Sequence, residues 1–196
     1  MSRLLNILDE KLINLAKDCM VNKESIDHTV DHLKRVNTYA MKIAKNHSYF
    51  GQNVDKFVYN LKFLVYLHDI GRKTDKHEPY HGIVSSEMAK TIIPYFVEKN
   101  DFPMPSMDSI SFGIKYHSCL KEKKDENGHD SIINLFNSTI NINKHLVETF
   151  WDADQLDHPR NDGFWRYLGK LNTNYLSTDF AKKFANSEEH LGIYKN

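Results

Sequence analysis

The sequence predicts an all-α protein, a single domain spanning residues 1–196 with roughly eight to ten helices around one core. Three observations predict it. Apolar residues recur at helical spacing along most of the chain, whereas alternating strand patterns are scarce. No internal repeat, low-complexity linker or compositional break divides the 196 residues. Apolar residues make up 40% and charged residues 27%, the balance of a globular chain that can bury a substantial core.

The first helix is predicted over about 2–21, with leucines 4, 5, 8, 12 and 15 on one face. Ser25 and Asp27 can cap a second helix, whose stripe is Val30, Leu33, Val36, Ala40, Ile43 and Ala44. Asn53 or Asp55 can cap a third, with Phe57, Leu61, Leu64 and Val65 inward. A fourth runs over about 83–98 and should bend at Pro94. "DFPMPS" is a turn, and Pro105 suits the entry to a helix through Tyr116. "KEKKDENGHD" (121–130) is a charged, exposed loop. Helices follow over about 131–138 and 144–156, then a loop, "DHPRNDG", and a helical tail beyond about 164.

Twenty-six basic residues balance twenty-six acidic ones, so no electrostatic footprint points to nucleic acid or an anionic membrane. No apolar run approaches the ~18 residues that span a bilayer. The N-terminus, "MSRLLNILDEKL", is broken by charges every few residues and reads as a helix rather than a signal peptide. Cys19 and Cys119 are isolated, with no CxxC spacing, and fit small apolar positions in a reducing compartment. The expected location is cytoplasmic. The oligomeric state is left open. Eleven histidines are the first compositional sign of metal or proton chemistry.

Several apolar stripes end in polar groups. In "LVYLHDIGRK", His68 follows Val65 and Leu64 by three and four residues, and Asp69 follows Val65 by four. Ile110, Gly113 and Ile114 lead to His117, and Leu146, Val147, Phe150 and Trp151 lead to Asp154. His28, His32 and Val36 share a face in the second helix. A lone inward histidine is ordinarily a core residue, and a lone buried aspartate a cap or ion-pair partner. Several nitrogen and oxygen ligands on separate helices instead suit one cation, because a buried carboxylate is costly unless paired. The second His-Asp dipeptide, His129-Asp130, lies in a polar loop and reads as solvated surface.

The pattern resembles the HD superfamily of metal-dependent phosphohydrolases, helical domains with a His, a His-Asp pair and a distant Asp. "DHLKRV" supplies His32, "LVYLHDIGR" supplies His68 and Asp69, and "WDADQLD" supplies Asp154, over about residues 25–160. Softer matches are "EPYHGIVSSEMAK", giving His81, and "SISFGIKYHS", giving His117. "SIDHTVDH" is similar to the "SHDxxH" of a nucleotide-cleaving subgroup; His28 matches its histidine, and Thr29 stands where that subgroup has Asp. Many relatives read "HDIGK", where this chain has Arg72.

The resemblance implies a divalent ion held by His32, His68, Asp69 and Asp154, and Mn, Fe, Co, Ni or Zn suits these ligands better than Mg. It implies hydrolysis of a small phosphate ester, expected to be a nucleotide, by metal-activated water that Asp69 also orients. His81 and His117 are expected to bind a second ion, contact phosphate or protonate the leaving oxygen. Arg72 and Lys73 are candidates to neutralise substrate phosphate. Arg35 is expected to pair with a nearby carboxylate. Asp157 is the alternative to Asp154, as a group supporting a ligand; Asp152 also flanks it. Tyr116, Trp151, Phe164 and Trp165 can stack on a base or belong to the core. Competing readings are a metal-stabilised module that binds a nucleotide or protein without turnover, and a di-iron oxygenase.

Overall fold

The structure, a computed structural model, describes residues 3–25, 28–46, 54–76, 78, 80–119, 132–157 and 173–187. These form eight α-helices and two 3-10 turns, with no strand among the described residues. The helices are α1 (Arg3–Cys19), α2 (Val30–Lys45), α3 (Val54–Leu67), α4 (His81–Asn100), α5 (Met107–Tyr116), α6 (Ile132–Ser138), α7 (Lys144–Asp157) and α8 (Asp179–Ala185). The 121–130 loop, the "DHPRNDG" loop after Asp157, Phe164 and Trp165 lie outside the described residues.

Helix α3 is the axis. It buries every side chain from Val58 to Leu67, which is why its sequence is apolar nearly all round. Helices α1, α2, α5 and α7 pack against it, while α2 runs closely along α7 and α4 along α5. One cluster of buried apolar residues joins all eight helices. Within it Lys62 of α3 is 1% exposed, and both Asp9 carboxylate oxygens lie 2.6 Å from its ammonium. That pairing makes burial of a lysine tolerable.

Local expectations were corrected in a few places. Leu4 is 44% exposed, and the buried stripe of α1 is Leu5, Leu8, Leu12 and Ala16, because α1 is covered on one side only. Ser25 does not cap α2; Thr29 is the N-cap residue, and Ser25 accepts a hydrogen bond from the His28 N–H and donates to Asp75. Asp55 lies inside the first turn of α3. Helix α4 begins at His81, two residues earlier than its apolar pattern, with Pro94 within it. Pro105 stands at the entry to α5, as expected, and Ser106 directly precedes the helix; the Ser106 N–H donates to the buried Asn60 side chain of α3.

Candidate metal centre

Five segments meet at one point. Helix α2 brings His32 on its first turn, and the turn after α3 brings His68 and Asp69. Helix α4 begins with His81, α5 ends beside His117, and α7 brings Asp154 one turn before its end. All six side chains are 5% exposed or less. His68, His117 and Asp154 sit where an apolar stripe stops, so the core carries them inward; His32 and His81 stand on the first turns of their helices. Glycines permit the approach. A Cβ on Gly82 would lie 2.4 Å from the Ile114 carbonyl oxygen and 2.7 Å from that of Lys115, so only glycine lets α4 start against the end of α5. A Cβ on Gly71 would meet the Ser85 nitrogen at 2.6 Å, and the Gly71 N–H donates to Ser85 Oγ instead.

The hydrogen bonds set the histidine tautomers. His68 Nδ1 lies 2.8 Å from the Val65 carbonyl and His117 Nδ1 2.7 Å from that of Ile114. His81 Nδ1 faces the Glu78 carbonyl, and His32 Nδ1 lies 2.8 Å from Asp157 Oδ2. These oxygens only accept, so His32, His68 and His117 carry a hydrogen on Nδ1, and in the neutral ring Nε2 presents a lone pair inward; His81 Nδ1 also faces the Arg72 Nη1 donor. The Nε2 atoms converge. His32 Nε2 and His68 Nε2 are 3.1 Å apart, and His81 Nε2 and His117 Nε2 are 2.9 Å apart. Two lone pairs at that distance repel unless a positive charge lies between them.

Asp69 links the two pairs. Its Oδ2 is 3.3 Å from His68 Nε2, 3.5 Å from His32 Nε2 and 2.7 Å from His28 Nδ1. Its Oδ1 is 2.8 Å from His81 Nε2 and 3.4 Å from His117 Nε2, yet this buried oxygen accepts no hydrogen bond. Asp154 Oδ1 completes the first group, 3.5 Å from both His32 and His68. An orphaned buried carboxylate oxygen facing imidazole lone pairs is the donor arrangement that a metal ion satisfies. Three overlapping trios have ligand atoms within 4.8 Å of one another: His28, His32 and Asp69; His32, His68 and Asp154; His68, Asp69 and His117. Buried His and Asp groups here can therefore hold a metal ion.

The electrostatics follow from the same geometry. Burial opposes the His68 imidazolium, but Asp69 and Asp154 outweigh it and push the ring up to about 10. Burial pulls His117 down to about 4, aided by His81 and His68 and opposed by Asp69, so its lone pair is available at neutral pH. Burial would raise the Asp69 carboxyl, but the surrounding imidazoles hold it well below the usual carboxylate range. Phe150, fully buried, packs against both His68 and His117, with ring centroids 5.4 and 5.9 Å away.

Flanking candidates separate into distinct jobs. Asp157 stays out of the cluster: its Oδ2 holds His32 and its Oδ1 accepts from Arg35 Nε at 2.9 Å, the carboxylate pairing expected of Arg35. Asp152 turns away, and its oxygens accept from the Ser177 and Thr178 N–H groups and the Thr178 hydroxyl, fastening α8 to α7. Arg72 donates to the Thr74 and Lys76 carbonyls, which lays its Nη1 3.0 Å from His81 Nδ1 at the rim. Lys73 is exposed, and its N–H donates to Glu78. Trp151 donates to the Gly113 carbonyl and packs with Tyr116 around Phe112, so both are core. His28 precedes α2 rather than sharing its face, yet it reaches Asp69. Its match to a family histidine was the only signal for it; helical spacing was the wrong reason. No family model, curated protein or solved structure matches the chain.

Proposed function

We propose that the chain is a metal-dependent phosphohydrolase that cleaves a nucleotide or other small phosphate ester with an activated water. The observation that carries this reading is the convergence of four imidazole Nε2 atoms on Asp69, whose buried Oδ1 accepts no hydrogen bond. The resemblance of the ligand motifs to the HD superfamily supplies the reaction class, which is an argument by analogy. His32, His68, Asp154 and Asp69 Oδ2 would hold one ion; His81, His117 and Asp69 Oδ1 would hold a second. Mixed imidazole and carboxylate ligands suit Mn, Fe, Co, Ni or Zn better than Mg. A bound ion supplies a Lewis acid that acidifies water and offsets phosphate charge. Asp69 also orients the attacking water. Arg72, tethered at the rim beside His81, and the exposed Lys73 offset the remaining phosphate charge.

A second reading has one specific observation in its favour. Asp69 turns one oxygen toward each ligand group, as a di-iron oxygenase site also requires. Metal identity and turnover separate the two. Purified wild type and Asp69→Ala are analysed for bound metals and assayed, with added Mn, on a nucleotide panel and a generic phosphodiester. The expected result is metal and hydrolysis in the wild type, both lost in the variant. A pair of iron ions without hydrolysis selects the oxygenase, metal without any turnover selects a binding module, and no metal affinity overturns the centre.

A further inference from the structure

A cavity of about 360 Å³ opens where α1 ends and α2 begins. His28 forms part of its wall, and the same ring places Nδ1 2.7 Å from Asp69 Oδ2. One imidazole therefore separates the cavity from the metal ligands. Lys17 and Lys23 are two cationic residues of the lining, with Asn22, Ser25 and Thr29 as polar neighbours. The Lys23 ammonium reaches the Lys17 and Asp18 carbonyls at 3.4 and 3.2 Å, which holds it at the end of α1. Among the described residues the single acid of the lining is Asp31, an exposed side chain 3.6 Å from Lys34. Another part of the wall is the start of the sixteen-residue helix α2, whose N-cap Thr29 makes no side-chain capping bond. The first-turn N–H groups of such a helix add positive potential.

The cavity thus favours an anion. Among the described residues no Phe, Tyr or Trp is in its lining, so beyond the His28 imidazole these offer a nucleobase no ring to stack on. We propose that it is a subsite for a phosphate chain, and that the substrates carry two or more linked phosphoryl groups. This rests on the phosphohydrolase reading. One phosphoryl group lies at the metal ligands, and the next extends past His28 toward Lys17 and Lys23. A monophosphate reaches the ligands and leaves the cavity unused.

The test is equilibrium binding of inorganic tripolyphosphate against orthophosphate to the purified protein with its metal. Magnesium is kept in excess so that the probe does not strip the centre. The wild type should bind tripolyphosphate about tenfold or more tighter, as one added charge-assisted contact provides. Lys17→Ala/Lys23→Ala should lose that preference and keep its orthophosphate affinity. Lys17→Gln alone, which leaves Lys23 holding the α1 carbonyls, should lose part of it, and Lys17→Arg/Lys23→Arg should restore it. Equal affinity for both probes in the wild type, or a preference that survives the double alanine variant, overturns the subsite. Turnover of a generic phosphate ester is measured in parallel. Its absence counts against the phosphohydrolase reading alone, because the binding preference is read without catalysis.

Discussion

At the scale of single residues, hydrogen bonds decide which face of each imidazole is chemically available. Asp157 is fully buried and answers two donors, the His32 Nδ1–H and Arg35 Nε–H. An asparagine there has one acceptor oxygen for two donors. Asp157→Asn should therefore weaken metal affinity about 10- to 100-fold while the chain stays folded, as loss of a ligand's supporting partner does. Competition against a chelating dye reads the change directly. Tyr59 illustrates a residue serving only the fold. Its phenol donates to the Pro103 carbonyl and fixes the turn before α5. Burial pushes its pKa up to about 12. A folded-state pKa above the ordinary value of about 10 means that its stabilisation is present below pH 10 and is lost as pH rises through 12. Tyr59→Phe should cost about 1 kcal/mol at neutral pH, the worth of one hydrogen bond. It should also flatten that alkaline loss, measured by urea unfolding at stepped pH.

At the scale of helices, the second ligand group depends on how closely α4 approaches α5. Gly82 controls this, since an added Cβ would strike backbone carbonyls, which cannot swing aside as a side chain does. Gly113 differs: the nearest atom to its added Cβ, at 2.6 Å, is the tip of the Leu64 side chain, which has room to rotate. Gly82→Ala should separate His81 from His117 and lower metal stoichiometry. The ion at His32, His68 and Asp154 should remain, because α2, α3 and α7 are untouched. Metal analysis after dialysis against a weak chelator checks this. Retention of the full wild-type stoichiometry would show that the α4–α5 contact does not set the second group.

At the scale of the whole molecule, the proposed centre closes the end of the bundle. Its ligands come from α2, the turn after α3, α4, the end of α5 and α7, so an ion bound there links elements that are distant in sequence. An unfolded chain cannot present that ligand set. Binding at about 100 times the dissociation constant is then worth about 2.7 kcal/mol of stability. Stripping the metal should lower the midpoint of thermal unfolding by about 5–10 °C for a chain of this size, reversed by adding it back. Calorimetry with and without chelator measures it. An unchanged midpoint in protein shown to have lost its metal would mean that the ligands are held by packing alone.

Much of this was legible in the residues because it is local. Helical periodicity marked α2, α3, α5 and α7 to within a few residues, since burial of one face repeats every three to four positions. The same stripes pointed to His32, His68, His117 and Asp154, because a polar group at the end of an apolar face follows that face into the core. His81 came from motif resemblance, as its helix starts before the apolar pattern does. What depends on the rotation of one helix against another was decided only by tertiary structure. Leu4 lies outside because α1 is covered on one side, and Lys62 is buried because Asp9 on α1 faces it. Arg35 and His32 find Asp157 more than 120 residues away, and Asp152, two residues from a proposed ligand, turns instead to α8. Asp69 directs one oxygen to each histidine pair. Periodicity specifies which face of a helix is buried; which residues meet there depends on how all the helices pack at once.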